Sequence, residues 1–143
     1  MDVLVPIDDS DPARKAVAHA VESNPVDDTD LHLLHVVDLT TAMYGEESLY
    51  AYDSLIETRR EAAERLFDEA VDIAAEAGHD PDDVTRETVV GRPAREIVEY
   101  AAEHDVDAVV IGSHGRKGAS RILLGSVAEQ VVRRAPVPVT VVR

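Results

Sequence analysis

Two apolar runs set the strongest limit on how this chain can fold. Leu31–Val37 (LHLLHVV) and Ala108–Ile111 (AVVI) place leucine and β-branched side chains at consecutive positions. A strand with one face in water alternates polar and apolar residues, whereas a strand covered on both faces does not. These runs need helices above and below them. The intervening segments supply candidates: Ala13, Ala16, Val17, Ala20 and Val21 fall on one helical stripe after the Asp8–Pro12 cluster. A second, longer stripe comprises Leu55, Ala62, Leu66, Ala70, Ile73 and Ala77, with Gly78 as C-cap. Strands are also expected at Val3–Ile7, Val84–Val90 and Val137–Val142, and Val106–Ile111 is the fourth in order. A third helix follows Gly91-Arg92-Pro93, with Ile97, Val98 and Ala101 inward. A fourth starts with Ser126 as N-cap and buries Val127, Ala128, Val131 and Val132. Leu39–Tyr52 lacks a period and reads as a surface loop. Alternating strands and helices define an α/β chain: an open parallel sheet, right-handed crossovers and helices on both faces. A length of 143 residues suits one domain over 1–143.

The segment from Val109 to Arg134 reads as strand, glycine-rich loop and helix, with glycines at 112, 115, 118 and 125. Backbone N–H groups of such a loop can converge on one anion, and a helix N-terminus adds its dipole to the same spot. Between 112 and 134 lie Arg116, Lys117, Arg121, Arg133 and Arg134 but only one acid, Glu129. The spacing is not that of a P-loop, and Gly112 and Gly115 are too far apart for the dinucleotide fingerprint.

Gly112-x2-Gly115-x9-Gly125-Ser126 resembles the nucleotide-binding signature of the universal stress protein family, in its ATP-binding branch. Outside the loop, VLVPID (Val3–Asp8), LLHVVD (Leu33–Asp38), Gly91-Arg92-Pro93 and Pro136–Val142 resemble further family segments, so the similarity covers essentially the whole chain. The resemblance implies a Rossmann-like, adenine nucleotide alpha hydrolase-like fold, five strands in order 3-2-1-4-5. It implies ATP as ligand, with Mg2+ (or Mn2+) bridging the phosphates. It assigns nucleotide contacts to Pro6, Ile7, Asp8, Val36, Ile111, Gly112, Ser113, His114, Gly115, Arg116, Gly125, Ser126 and Val127. It also implies a homodimer through the C-terminal edge strand, at Val137, Val139, Thr140, Val141 and Val142.

Read by themselves, Asp8 and Asp9 fit a metal-binding pair, helix caps or a nucleoside contact. A carboxylate beside a triphosphate is repelled unless a cation intervenes, so Asp8 is better used at the sugar or base, while Asp9 and Ser10 suit capping. Val36 alone would be core, and only the resemblance makes it an adenine contact. His114 has no positioned partner in the sequence, so it is read as a backbone contact and not as a general base. His19, His32, His35, His79 and His104 share no metal-ligand spacing and are assigned to core or surface. Arg116 and Lys117 are read as phosphate-neutralising. Pro136 and Pro138 share a parity, which leaves 137, 139 and 141 to pair inside the sheet and Thr140 and Val142 as donors on an open outer edge.

Three functions fit: a nucleotide-dependent switch or sensor in stress response, a weak ATPase with biological turnover, or a dimerising stress module without nucleotide. An electron-transfer flavoprotein-like binder shares the architecture, and architecture does not fix function. No water-activating base stands out for turnover. The chain has no cysteine, no basic leader and no apolar run of membrane-spanning length, so a cytoplasmic location with no membrane partner is expected.

The formal charge of −15, from 29 acidic against 14 basic residues, disfavours nucleic acid as a partner. Such self-repulsion is largely screened at 1 M salt, where the Debye length is about 3 Å. With Lys15 and Lys117 the only lysines, a halophile's protein is favoured over an acidic mesophilic domain. The expected outcome is a higher unfolding midpoint in molar KCl than in dilute buffer; equal midpoints would remove the idea.

Overall fold

The computed structural model describes residues 1–38, 49–114 and 124–143. Its sheet is built outward from β1 (Asp2–Pro6), whose Val3, Leu4 and Val5 have no solvent exposure. The chain then forms α1 (Asp11–Glu22), β2 (Asp30–Val37), α2 (Leu49–Glu76), β3 (Val84–Val90), α3 (Pro93–Glu103), β4 (Ala108–Gly112), α4 (Ser126–Arg134) and β5 (Val139–Val142). All four strand pairings are parallel, in the order β3-β2-β1-β4-β5. The expected α/β architecture and strand order are therefore what the chain adopts.

The continuous apolar runs are sorted by the pleat. Val3, Val5, Leu31, Leu33 and Val110 pack against α1 and α2, whereas Leu4, Leu34, Val109 and Ile111 pack against α3 and α4. Helices thus cover both faces, as the lack of alternation requires. Burying a leucine or valine side chain contributes roughly 1.5–3 kcal/mol. The central strands therefore hold much of the favourable energy.

Several local expectations shift. α2 starts at Leu49, inside the segment read as loop, while 39–48 lie outside the described residues. Its most buried side chains are Ala63, Phe67, Ala70, Val71 and Ala74, with Ala62, Leu66, Ile73 and Ala77 at the margin. The stripe is rotated toward Phe67, the largest fully buried side chain, because a large aromatic gains most by facing the sheet. In α3, Tyr100 joins Ile97 and Ala101 in the core and Val98 is only half-buried. In α4, Ala128 and Val131 are buried but Val132 is 47% exposed, since nine residues present only a narrow stripe. Gly125, not Ser126, is the N-cap residue of α4.

β5 reverses the expected parity. Val109 N–H donates to the Pro138 carbonyl (3.0 Å), and Ser113 N–H donates to that of Val142 (2.6 Å), with Val139 in register opposite Val109. A residue's N–H and C=O lie on one side of an extended strand, so Pro138, Thr140 and Val142 face β4. The outer edge belongs to Val139 and Val141. Pro138 is tolerated on the inner side because it precedes the strand proper, where only its carbonyl is used. Val137, Val139 and Val141 pack partly on the α3/α4 side.

At the opposite end of the sheet from the strand C-termini, His32 lies between Asp2 (Nε2 to Oδ1, 2.8 Å) and the Tyr100 hydroxyl (Nδ1, 2.9 Å). Because a carboxylate only accepts, Nε2 is the donor toward Asp2, and Nδ1 pairs with the tyrosine hydroxyl. His104 stacks on Tyr100 at 3.7 Å between centroids. Burial, then the charges of Glu87 and Asp2, push the Tyr100 phenol up to about 12. A phenol held protonated by the fold contributes stability that is complete below the unfolded value, about 10, and is lost as pH rises through about 12. Tyr100→Phe is expected to remove an alkaline phenolate absorbance step near pH 12 and to flatten the loss of stability above pH 10. An unchanged alkaline step would contradict this assignment.

Candidate functional site

Between β1 and β4 the order of the sheet reverses direction. The chain leaving β1 enters α1 on one face, and the chain leaving β4 leads to α4 on the other. The two connections part there and leave a crevice at the strand C-termini, where open α/β sheets hold ligands. The crevice opens into a cavity of about 580 Å³. Its walls include Pro6, Ile7, Asp8, Val36, Ile111, Gly112, Ser113, His114, Gly125, Ser126 and Val127. Every sequence-predicted nucleotide contact among the described residues thus lines one space. Gly115 and Arg116, with Lys117, Gly118 and Arg121, lie outside the described residues.

Two hydrogen bonds bring the halves of the glycine motif together. Ser113 N–H donates to Val142 O, which fixes the end of β4, and Gly125 N–H donates to Ser113 O at 2.7 Å. The start of α4 is thereby tied to the end of β4. Gly112 has a separate reason to be glycine: a Cβ there would stand 2.8 Å from the Pro12 carbonyl carbon and 2.9 Å from Ala13 N. The first turn of α1 passes too close for any side chain, so this glycine serves helix–strand contact.

Within α4, Glu129 N–H donates back to Gly125 O (3.0 Å), and the N-cap residue, Gly125, has no side chain with which to cap the helix. The N–H groups of Ser126, Val127 and Ala128 have no intrahelical acceptor, and all three residues line the cavity. This end of the helix favours an anion by geometry and by dipole.

On the β1 side, Ser10 is the N-cap of α1, its Oγ accepting from Ala13 N–H at 3.3 Å. The same hydroxyl donates to the Asp8 carboxylate and lies 3.5 Å from the His114 carbonyl oxygen. Capping by Ser10 agrees with expectation; capping by Asp9 does not. Asp9 turns outward to Arg14 (2.5 Å), which also holds Glu69 of α2 and Asp11 (3.2 Å), because an arginine within reach offers a charged partner. Hydrogen bonds to Glu69 and then Asp9 push the Arg14 guanidinium above its usual range. Asp8 remains half-buried in the cavity wall.

Sequence reasoning missed several wall residues. His35 donates from Nδ1 to the Ile7 carbonyl (2.8 Å) and so props the chain just beyond β1. Asp38, Arg59 of α2 and Pro93 of α3 also line the space. The LLHVVD run carried the signal for His35 and Asp38, since both lie at the C-terminal end of a central strand. Arg59 had none, because it reaches the cavity only through the path of α2. His114 enters the wall with its ring Nδ1 3.1 Å from the Ser113 hydroxyl.

A parallel open sheet with a crevice at its reversal point, closed by an uncapped helix N-terminus, defines an α/β protein built to hold a ligand carrying an anionic group. The universal stress protein family model matches residues 1–143, and the chain belongs to that family. It is 33% identical over 141 residues to universal stress protein MJ0531 of Methanocaldococcus jannaschii, covering 99% of this chain and 81% of that one. The structure of MJ0577, from the same organism, superposes with a TM-score of 0.83 at 30% identity, covering 99% of this chain and 94% of that one. A universal stress protein solved in complex with cAMP gives a TM-score of 0.69 at 28% identity, covering 100% and 96%. The fold is the Rossmann-like, adenine nucleotide alpha hydrolase-like one. No described helix is long and apolar enough to cross a membrane.

Gly112→Ala is expected to destabilise the chain by about 1–3 kcal/mol in chemical denaturation, the usual cost of overpacking. A loss under about 0.5 kcal/mol, the range of a neutral surface change, would show that α1 can withdraw from β4 freely.

Proposed function

We propose that this chain is an ATP-binding universal stress protein that acts as a nucleotide-dependent switch or sensor in stress response. The observation that carries the reading is the convergence of Asp8, Val36, Gly112–His114 and the uncapped Gly125–Val127 turn on one cavity at the sheet's reversal point. The phosphates would sit against the N–H groups of Ser126, Val127 and Ala128, with Arg59 and the basic residues of the 115–123 segment neutralising charge. Asp8, already accepting a hydrogen bond from the Ser10 hydroxyl, would also accept from the nucleoside, and Val36 would contact adenine. The cAMP complex of a relative at 28% identity supports an adenine nucleotide as the ligand class.

A bridging Mg2+ or Mn2+ needs few protein ligands, since Mg2+ keeps several waters and binds through phosphates with one or two carboxylates. Among the described residues no cluster of three His, Cys, Asp or Glu side chains forms a metal cage. Asp8 and Asp38 are the carboxylates in the cavity wall. The ion would supply charge neutralisation between phosphates. Slow hydrolysis is the alternative, and turnover would then depend on Asp8 or His114. The third reading, a dimerising module without nucleotide, leaves the uncapped α4 turn unused. In all three the chain pairs with a second copy through the outer edge of β5, at Val139 and Val141, in a cytoplasm that is salt-rich if the acidic surface reflects a halophile.

Thermal unfolding with and without Mg-ATP tests this reading, with GTP and Gly125→Val as controls. Ligand at about a hundredfold its dissociation constant stabilises by about 2.7 kcal/mol, which raises the midpoint of a domain of this size by roughly 5–15 °C. The expected rise is large with ATP, smaller with GTP and absent in the variant. No rise with ATP, in protein stripped of retained nucleotide, would eliminate the switch. The same samples should sediment as dimers, and Val141→Asp as a monomer; a monomeric parent chain would exclude pairing through β5.

A further inference from the structure

A second cavity, of about 460 Å³, runs between α3 and α4 and meets the first at Asp38, Pro93, Ser126 and Val127. Its length along α4 is marked by Ser126, Gln130 and Arg134, one face of the helix, and it is bounded on α3 by Arg92, Arg95 and Glu99. The charges within it are not equivalent. Arg95 is neutralised by Glu99 at 2.9 Å, and Arg133, next in sequence to Arg134, by Glu129 at 2.5 Å. Arg92 and Arg134 hold no carboxylate within ion-pair distance among the described residues. In a chain with twice as many acids as bases, such cations are local sources of positive potential to which an anion can be drawn. Here two of them line one groove, Arg92 at the start of α3 and Arg134 at the end of α4, and that groove begins at the anion-receiving turn of α4. The remaining acid in the lining, Asp38, sits where the two cavities meet.

We propose that this groove is a second subsite of the nucleotide cavity, with Arg92 and Arg134 holding phosphoryl oxygens beyond those bound at Ser126–Ala128. The ligand class is then an adenine nucleotide whose phosphate chain continues into a second nucleoside: a dinucleoside polyphosphate. The inference rests on the reading of the first cavity as an adenine-nucleotide site. Three observations select this occupant. The groove is continuous with the phosphate end of the first cavity. Its free charge is positive. Pro93, Ala94, Val98 and Val127 give it apolar wall for a sugar and base, and its volume lies in the range of small-molecule sites. A triphosphate ending at the α4 turn would leave all of this empty.

Calorimetric titration with ATP and with diadenosine tetraphosphate tests it, on the whole chain and on Arg92→Gln/Arg134→Gln and Arg95→Gln. The two ligands carry similar charge near neutral pH, so a difference between them reports the second half of the longer one. The tetraphosphate is expected to bind at least tenfold tighter than ATP, and the double variant to lose about tenfold or more of that affinity while its affinity for ATP stays within twofold. Arg95→Gln should change neither. Circular dichroism confirms folding, which these exposed side chains do not support. Equal affinities in the parent chain, or an equal loss for both ligands in the double variant, would overturn the subsite. A parent chain that binds neither ligand overturns it together with the reading of the first cavity, a result separate from the other two.

Discussion

Everything in this molecule depends on the shielding of β1. Its backbone is paired on both edges, to β2 and to β4, and its side chains are covered on both faces. With both neighbours taken, the chain must cross from one half of the sheet to the other over the top of β1. The crossing from β3 through α3 to β4 does this, and the connections that leave β1 and β4 then part to opposite faces, which opens the cavity between them. The site follows from topology before any side chain is chosen.

What the side chains add is a distribution of charge against the background. The surface is strongly acidic, and several described arginines away from the crevice are answered: Arg14 by three carboxylates, Arg86 by Asp68, Arg133 by Glu129. Such exposed pairs contribute at most about 1 kcal/mol each, so their value is less in stability than in cancelling field where no ligand binds. Near the crevice the balance changes. Arg59, Arg92 and Arg134 line its cavities without ion-pair partners among the described residues, and the α4 turn adds partial positive charge without a side chain.

The sequence made the sheet readable because doubly covered strands leave an unmistakable mark: LLHVV and VVI cannot be half-exposed. Helix existence was equally plain, but helix rotation was not. The stripe in α2 reads from sequence as centred on Leu66 because apolar periodicity in an alanine-rich helix is shallow, and only the bulk of Phe67 decides which side faces inward. The parity of β5 is hidden for a related reason. Proline excludes itself from donating, yet just before a strand its carbonyl alone can serve the ladder, and no local pattern distinguishes that case. At the site, contiguous motif residues were legible, whereas Arg59 and the α3/α4 groove arise from residues far apart in the chain. Ser10 was seen as a cap, but its second role, holding Asp8, needs coordinates.

The bond from Gly125 N–H to Ser113 O separates two properties that a ligand site usually has to settle together. With the ends of the intervening segment pinned, lengthening that segment costs only slowly growing closure entropy, about 0.6 kcal/mol per doubling. The walls anchored at Ser113 and Gly125 and the sequence between those two residues can therefore vary independently over evolutionary time. A lineage could retune which anion is held, and how long, by rewriting a dozen or so residues and leaving the sheet beneath them untouched.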